Sequence, residues 1–293
     1  MQHIQLNDGN SIPALGYGVC AIGAWQQNDD YVTDVIFRAI EAGYRHFDTA
    51  SLYGTERNLG EAMKRSGIPR SEFYIVSKVW DNEQGYNNTI AACERSLARL
   101  GLDYLDLYVI HWPVPEQTQA TWQAMETLQQ QGKIRSLGLS NFRISDIEQL
   151  LSFANIKPVY NQLELHPYMT QQALVEYCAQ HEIAVSCWSP LGSGNWSGVA
   201  ASEKPISDPA IKAIAEKYSV STAQVILRWN IQQGRIAIPK SESDKNLQAN
   251  LALFDFALSA EDIAIIDALN RNHRYGADPD TAYADNMQMD VPA

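Results

Sequence analysis

The chain has 293 residues, 45% of them hydrophobic, and 34 acidic against 22 basic side chains give a formal net charge of −12. That length suits one large domain over residues 1–293, with apolar content enough for a sizeable core. The negative excess opposes nucleic acid and anionic membranes, while leaving room for a local basic pocket that takes one phosphorylated small molecule.

The start, Met1-Gln2-His3-Ile4-Gln5, lacks the basic region and long apolar stretch of a signal peptide. No apolar run approaches the ~20 residues of a membrane span. The four cysteines (Cys20, Cys93, Cys178, Cys187) are widely spaced without a CxxC pair. Cys93, Cys178 and Cys187 fall in apolar runs, which predicts buried free thiols and a reducing, cytoplasmic setting. A monomer is expected.

In chain order, Ile4 to Ile12 alternates around Asp8-Gly9, a hairpin signal, and this small piece is expected to plug one end of the main fold. Leu15–Val19 reads as the first strand. Val32, Val35, Ile36, Ala39 and Ile40 form a helical stripe that stops at Gly43, before the strand Arg45-His46-Phe47. The alternation then recurs. Helix 56–65 precedes strand 73–78, helix 88–100 precedes strand 105–110, and helix 121–131 precedes strand 134–139. Ser145 with Glu148 predicts a capping box for the next helix, followed by strand 159–162, helix 171–181 and strand 183–188. After Trp188 the rhythm breaks. A segment rich in Gly, Ser and Pro runs to Pro205, and two helices follow without a strand between them. Asp208-Pro209 opens the first, and Ser221 with Gln224 caps the second. Strand 235–238 is last, then helices 245–253 and 260–270, and from His273 the tail has little periodicity.

Alternating β and α units argue for a parallel sheet, and eight of them for closure. The expected fold is α/β, a (β/α)8 TIM barrel with an N-terminal β-hairpin and two extra helices. An open doubly wound sheet is the alternative. No G-x-G-x-x-G follows the first strand, since Gly16-Tyr17-Gly18 lacks the third glycine, so a dinucleotide would bind by another route.

Asp48, Tyr53, Lys78 and His111 each follow or close one of the short apolar runs, and strand ends of such a barrel meet at one mouth. Singly, each has a bland reading: a turn aromatic, a solvated lysine, a satisfied histidine, an aspartate capping toward Thr49. Together they are the parts for protonating a carbonyl oxygen. A lysine ammonium lowers a neighbouring phenol's pKa, and a carboxylate holds the lysine in place. The phenol then delivers its proton as hydride reaches carbon, while His111 orients the oxygen. The scheme needs no metal, and His46, His111 and His166 do not form a spaced ligand set, which argues against a metal-dependent hydrolase.

These residues resemble the aldo-keto reductase family over nearly the whole chain. The likeness is carried by Gly43-Tyr44-Arg45-His46-Phe47-Asp48-Thr49-Ala50 with Tyr53-Gly54, Ser77-Lys78-Val79-Trp80, and Asp103 to Tyr108 into His111-Trp112-Pro113. It continues in Gly138-Leu139-Ser140-Asn141-Phe142, Asn161 to Pro167, and Ile238-Pro239-Lys240-Ser241. The resemblance implies NADPH-linked carbonyl reduction by a tetrad at Asp48, Tyr53, Lys78 and His111. It also implies that Ser140, Asn141 and Gln162 hold the nicotinamide carboxamide, and that Trp188, where the family usually has tyrosine, stacks on that ring. Ser189, Leu191 and Gly192 would line the pyrophosphate. Lys240 and Ser241, with Asn250 nearby, would meet the adenosine end and its 2′-phosphate. Asn246 stands where an arginine is usual, and Ala249 where a glutamate is often found. Losing a bidentate cation weakens phosphate recognition, so NADH use is expected alongside NADPH, with Lys245 as a partial substitute.

Trp25, Trp80 and Trp112 follow predicted strands and are expected to wall a broad apolar pocket for a small-molecule carbonyl: an aldehyde, α-keto ester, diketone or keto-sugar. The tail 274–283 corresponds to the family's variable C-terminal loop. A cofactor-binding regulatory subunit that senses redox state with little turnover is the second reading, and a structural or storage protein that has lost the chemistry is a third; an intact tetrad disfavours both.

Overall fold

The computed structural model describes residues 2–25, 28–193 and 198–292, the side chains of residues 24 and 25 excepted. The chain opens with two short antiparallel strands, β1 (His3–Gln5) and β2 (Ser11–Pro13), with Ile4 opposite Ile12. Gly9 turns between them at φ +87°, which a side chain would resist, and the Asp8 carboxylate accepts from the Asn10 backbone N–H.

Eight parallel strands follow in sequential order: β3 (Tyr17–Gly18), β4 (His46–Asp48), β5 (Tyr74–Val79), β6 (Leu105–Ile110), β7 (Ile134–Ser140), β8 (Tyr160–Glu164), β9 (Ala184–Trp188) and β10 (Ile236–Ala237). The sheet closes on itself. Leu15 bridges Ala237, the Gly16 N–H donates to the Ala237 carbonyl at 2.9 Å, and the Ala237 N–H to that of Ala14 at 2.9 Å. The result is a closed (β/α)8 barrel.

Helices α1 (Asp29–Ala42), α2 (Glu56–Ser66), α3 (Tyr86–Leu100), α4 (Thr118–Gln130), α5 (Ile144–Leu151) and α6 (Gln172–Gln180) each link one strand to the next. The predicted stripe of α1 is buried throughout, and the helix ends at Gly43 with φ +115°. Two helices, α7 (Pro209–Tyr218) and α8 (Thr222–Gln232), lie between β9 and β10, while α9 (Asp244–Leu251), α10 (Ala260–Asp267) and a short α11 (Ala282–Asn286) come after β10. The expected caps at Asp208 and at Ser221 with Gln224 are both formed.

The capping box expected at Ser145 with Glu148 is not the one formed. Ser145 lies inside α5, and the Asp146 carboxylate accepts from the Arg143 backbone N–H at 3.0 Å and from the Arg143 guanidinium at 2.9 Å. An acid three residues after the cap satisfies the free N–H, and the arginine's own fork strengthens it. The tail from His273, which lacks periodicity, still forms α11, because its turns are fixed by contacts with distant segments described below.

The hairpin plugs the barrel as expected. Leu6 and Ile12 pack with Val76, Leu107, Val109, Tyr160 and Ile236 from the strands. Asn7 Nδ2 donates to the carbonyls of Pro158 and Glu182, just ahead of β8 and β9, so the plug sits at the N-terminal ends of the strands. The C-terminal ends are left to form a mouth. Cys93, Cys178 and Cys187 are buried, and all four cysteines are free. Among the described residues no helix is long and apolar enough to cross a membrane.

Candidate active site

Asp48 closes β4 and Lys78 lies near the end of β5, so parallel neighbours carry an acid and a cation to the same rim. Lys78 has no exposed surface. Its Nζ donates to Asp48 Oδ1 at 2.5 Å, the Thr49 carbonyl at 2.9 Å and the Tyr53 hydroxyl at 3.4 Å. Tyr53 ends a single 3-10 turn, Ser51–Tyr53, that reverses at Gly54 with φ +66°. Across the mouth, His111 follows β6 and its Nε2 lies 3.3 Å from the Tyr53 hydroxyl, the two rings meeting edge to face. The structure therefore joins all four predicted residues into one chain of contacts.

Electrostatically the phenol behaves differently from the sequence expectation. Burial holds Tyr53 well above its ordinary pKa, and Cys20, Asp48 and Tyr160 push it the same way. Burial outweighs the neighbouring lysine here, and the Asp48 carboxylate held against that lysine acts on the phenol in the same direction as burial. Burial, then the Lys78 ammonium, holds His111 well below the usual imidazole value. At neutral pH the site thus contains a protonated phenol beside a neutral imidazole.

A second layer surrounds this chain. Gln162 Nε2 donates to Asp48 Oδ2 at 2.7 Å and to the Tyr160 hydroxyl at 2.8 Å. Asn141 sits at φ +62°, a left-handed conformation that asparagine tolerates, and its Nδ2 donates to the His111 carbonyl and to Ser140 Oγ, both at 3.0 Å. Trp188 Nε1 donates to Asn141 Oδ1 at 2.9 Å. Ser140, Asn141, Gln162 and Trp188 thus gather at the mouth as expected.

Trp80 stands edge-on to His111 with ring centroids 4.9 Å apart, and Trp80 and Trp112 cluster with Ala282 of α11, flanked by Leu52, Trp188 and Val291. The tail is tied there by Trp80 Nε1 to the Asn286 carbonyl and by Asn286 Nδ2 to Asp81, whose carboxyl burial pushes up to about 7. The Trp25 side chain lies outside the described residues. Ser189, Leu191 and Gly192 follow β9 directly, with Ser189 at φ +48° and Gly192 at φ +83°.

Lys240 and Ser241 follow β10. Lys240 Nζ is paired with Glu242 Oε1 at 2.5 Å, and Glu242 Oε2 accepts from the Tyr31 hydroxyl at 2.7 Å. Asn246 is exposed, whereas Asn250 is buried on α9 against the Tyr44 hydroxyl. Sequence reading missed Glu242, Tyr160, Cys20 and Glu164. Glu242 lies two residues from Lys240 and was the most accessible of these, because a carboxylate beside a proposed phosphate site conflicts with that site's charge.

The chain matches the Aldo/keto reductase family model over residues 14–271. It is 44% identical over 277 residues to a glyoxal reductase of Bacillus subtilis, covering 94% of this chain and 96% of that one. It is 43% identical over 281 residues to a 9,11-endoperoxide prostaglandin H2 reductase of Trypanosoma cruzi, covering 96% and 95%. Among solved structures, an aldo-keto reductase of Bombyx mori in complex with NADP superposes with a TM-score of 0.87 at 38% identity, covering 96% of both chains. The protein belongs to the aldo-keto reductase family. It is an NAD(P)H-dependent oxidoreductase.

If the Lys78–Asp48 pair is one unit, removing one partner strands the other in a dry site. Lys78→Met is expected to lower unfolding free energy by about 3–5 kcal/mol, with much of that loss recovered in the Asp48→Asn/Lys78→Met double variant. Urea unfolding measures both, and simple addition of the two single effects would contradict the coupling.

Proposed function

We propose that this aldo-keto reductase reduces aldehyde and ketone carbonyls to alcohols with NADPH, with Tyr53 as the proton donor. The reading is carried by one observation: the Tyr53 hydroxyl lies within reach of both the buried Lys78 ammonium, at 3.4 Å, and the His111 imidazole, at 3.3 Å. A carbonyl oxygen seated between Tyr53 and His111 meets the phenol as one donor and, in the tautomer protonated at Nε2, the imidazole as a second. When bound, the reduced nicotinamide supplies a hydride. As the carbonyl carbon gains it, the carbonyl oxygen takes the Tyr53 proton, and the phenolate left behind faces Lys78. The ammonium therefore acts mainly as charge develops, which is where stabilisation raises turnover. Tyr53 is then reprotonated from solvent.

The residues fit the cofactor. The hydroxyl of Ser140 and the amides of Asn141 and Gln162 match a carboxamide in donors and acceptors. Trp188 offers a ring face beside them, and Ser189, Leu191 and Gly192 offer backbone for a pyrophosphate. Trp80 and Trp112 supply apolar walls for the substrate. The relatives named for glyoxal and for prostaglandin H2 differ greatly in the size of what they act on, which supports a broad substrate range. Buried free thiols support a cytoplasmic setting, and we take the working form to be a monomer.

NADPH use is supported by the Bombyx mori relative's complex with NADP and by Lys240 with Ser241. Selectivity is weakened twice here, since Asn246 offers no cation and Glu242 already holds Lys240. A carboxylate at that point repels a 2′-phosphate and can accept from a ribose hydroxyl instead.

With a panel of an aldehyde, an α-keto ester, a diketone and a keto-sugar, Tyr53→Phe is expected to lose roughly a hundredfold or more in kcat while NADPH Kd changes by less than about threefold. Turnover near wild type would remove Tyr53 from the acid role. The ratio of kcat/KM with NADPH to that with NADH is expected near roughly one, and Glu242→Gln is expected to raise it about tenfold by freeing Lys240. A wild-type ratio above about a thousand, or no response to Glu242→Gln, would contradict this account of selectivity.

A further inference from the structure

Glu164 ends β8 at the mouth, has no exposed surface, and takes no part in the chemistry above. Both carboxylate oxygens are filled. Oε1 accepts from the Tyr275 backbone N–H at 2.6 Å and faces His166 Nε2 at 3.1 Å; Oε2 accepts from the Gly276 backbone N–H at 3.1 Å and faces Arg274 at 3.5 Å. Burial holds His166 below the usual imidazole value, so its ring donates as the neutral form. A buried acid is thus spent on two consecutive N–H groups of a tail segment more than a hundred residues away.

That segment has an unusual neighbour. A β-carbon added at Gly276 would lie 2.3 Å from Trp188 Cη2 and 3.1 Å from Cζ3. Its φ is not in the left-handed range, so the backbone itself would accept alanine; the tryptophan is the main obstacle, with Glu164 Oε2 a lesser one at 3.2 Å. At its other edge Trp188 donates to Asn141 Oδ1. The indole is held at both ends, by an amide on one side and by bare backbone on the other. Tyr275 extends the strap toward the segment after β9: its ring lies where a β-carbon on Gly192 would approach within 3.2 Å, and its hydroxyl donates to the Glu203 carbonyl.

We propose that Glu164 and Gly276 are positioning residues for cofactor binding: the carboxylate pins the tail segment 274–276 as a rigid stop against which Trp188 is seated to receive the nicotinamide ring. The inference rests on the reading of Trp188 as that ring's platform. It makes the C-terminal tail part of the cofactor site as well as a border of the substrate pocket. Tryptophan at this position then requires glycine at 276, because the outer atoms of the indole occupy the space a side chain would need.

The test is a double-mutant cycle on the full chain, read as Kd for NADPH by fluorescence titration, with KM for one fixed aldehyde and thermal unfolding as controls. Gly276→Ala is expected to raise NADPH Kd roughly tenfold while aldehyde KM moves less than about threefold. In a Trp188→Tyr background, which lacks Cη2 and Cζ3, the same substitution is expected to change Kd less than about twofold. Glu164→Gln, which turns an amide NH2 toward a backbone N–H, is expected to weaken NADPH in the same direction as Gly276→Ala. An unchanged Kd in Gly276→Ala, or an equal penalty in both backgrounds, overturns the strap. If Trp188→Ala binds NADPH as wild type does, the platform reading itself fails and this inference with it. Dependence on Trp188 with a silent Gly276→Ala removes the strap alone.

Discussion

A lysine ammonium with no exposed surface is costly unless its charge is met, and at the mouth of this barrel Asp48 meets it. Around that pair the rest of the site is arranged. The Asp48 carboxylate has a second oxygen, and Gln162 fills it, with Tyr160 sharing the same amide nitrogen. The ammonium has further protons, and the Thr49 carbonyl and Tyr53 hydroxyl accept them. Strand register brings the two to one rim: β4 and β5 are parallel neighbours, Asp48 lies opposite Val76, and Lys78 stands two residues further toward the same end. Burial, with Asp48 pushing the same way, keeps the resting phenol protonated despite the adjacent lysine. The pair's value lies in charge that appears during reaction: a phenolate forming beside Lys78 gains an interaction that the phenol lacks.

The same economy of buried charge recurs at Glu164. There the partners are mostly backbone N–H groups of the tail, and the consequence is mechanical. The tail returns over the mouth and is tied at Glu164, at Arg143 through Asp280, at Trp80 and Asp81 through Asn286, and at Asn82 through the Met289 carbonyl. A segment lacking periodicity thus becomes ordered wall. This links the end of the chain to Trp188 and, through Trp188, to Asn141 and the His111 carbonyl.

Much of this was legible in the residues because the signals are local. Each strand of the barrel is a short apolar run, and each following helix carries its own stripe. Gly43 and Asp208-Pro209 mark boundaries that the backbone keeps. The tetrad could be read because strand ends of a parallel barrel must meet, whatever their separation in sequence. What could not be read depends on three-dimensional neighbours. Ser145 with Glu148 has the residue types of a capping box and Arg143 does not, yet the helix starts at Ile144 and Asp146 satisfies the Arg143 N–H. Nothing near Glu164 in sequence points to Gly276, and nothing near Lys78 says that burial outweighs its charge at Tyr53. Glu242 differs: it was in plain sight, and its effect on Lys240 needed only the observation that the two side chains face each other.

The central claim is that Tyr53 rests as a neutral phenol and surrenders its proton only as charge develops on a bound carbonyl. It can be measured directly by titrating protein labelled with 13C at tyrosine Cζ, with the Tyr53 resonance assigned by its loss in Tyr53→Phe. That resonance should keep its phenol shift to at least about pH 10, the ordinary tyrosine value. A move to the phenolate shift near or below about pH 8 would show that Lys78 outweighs burial in the resting site, and would contradict the account.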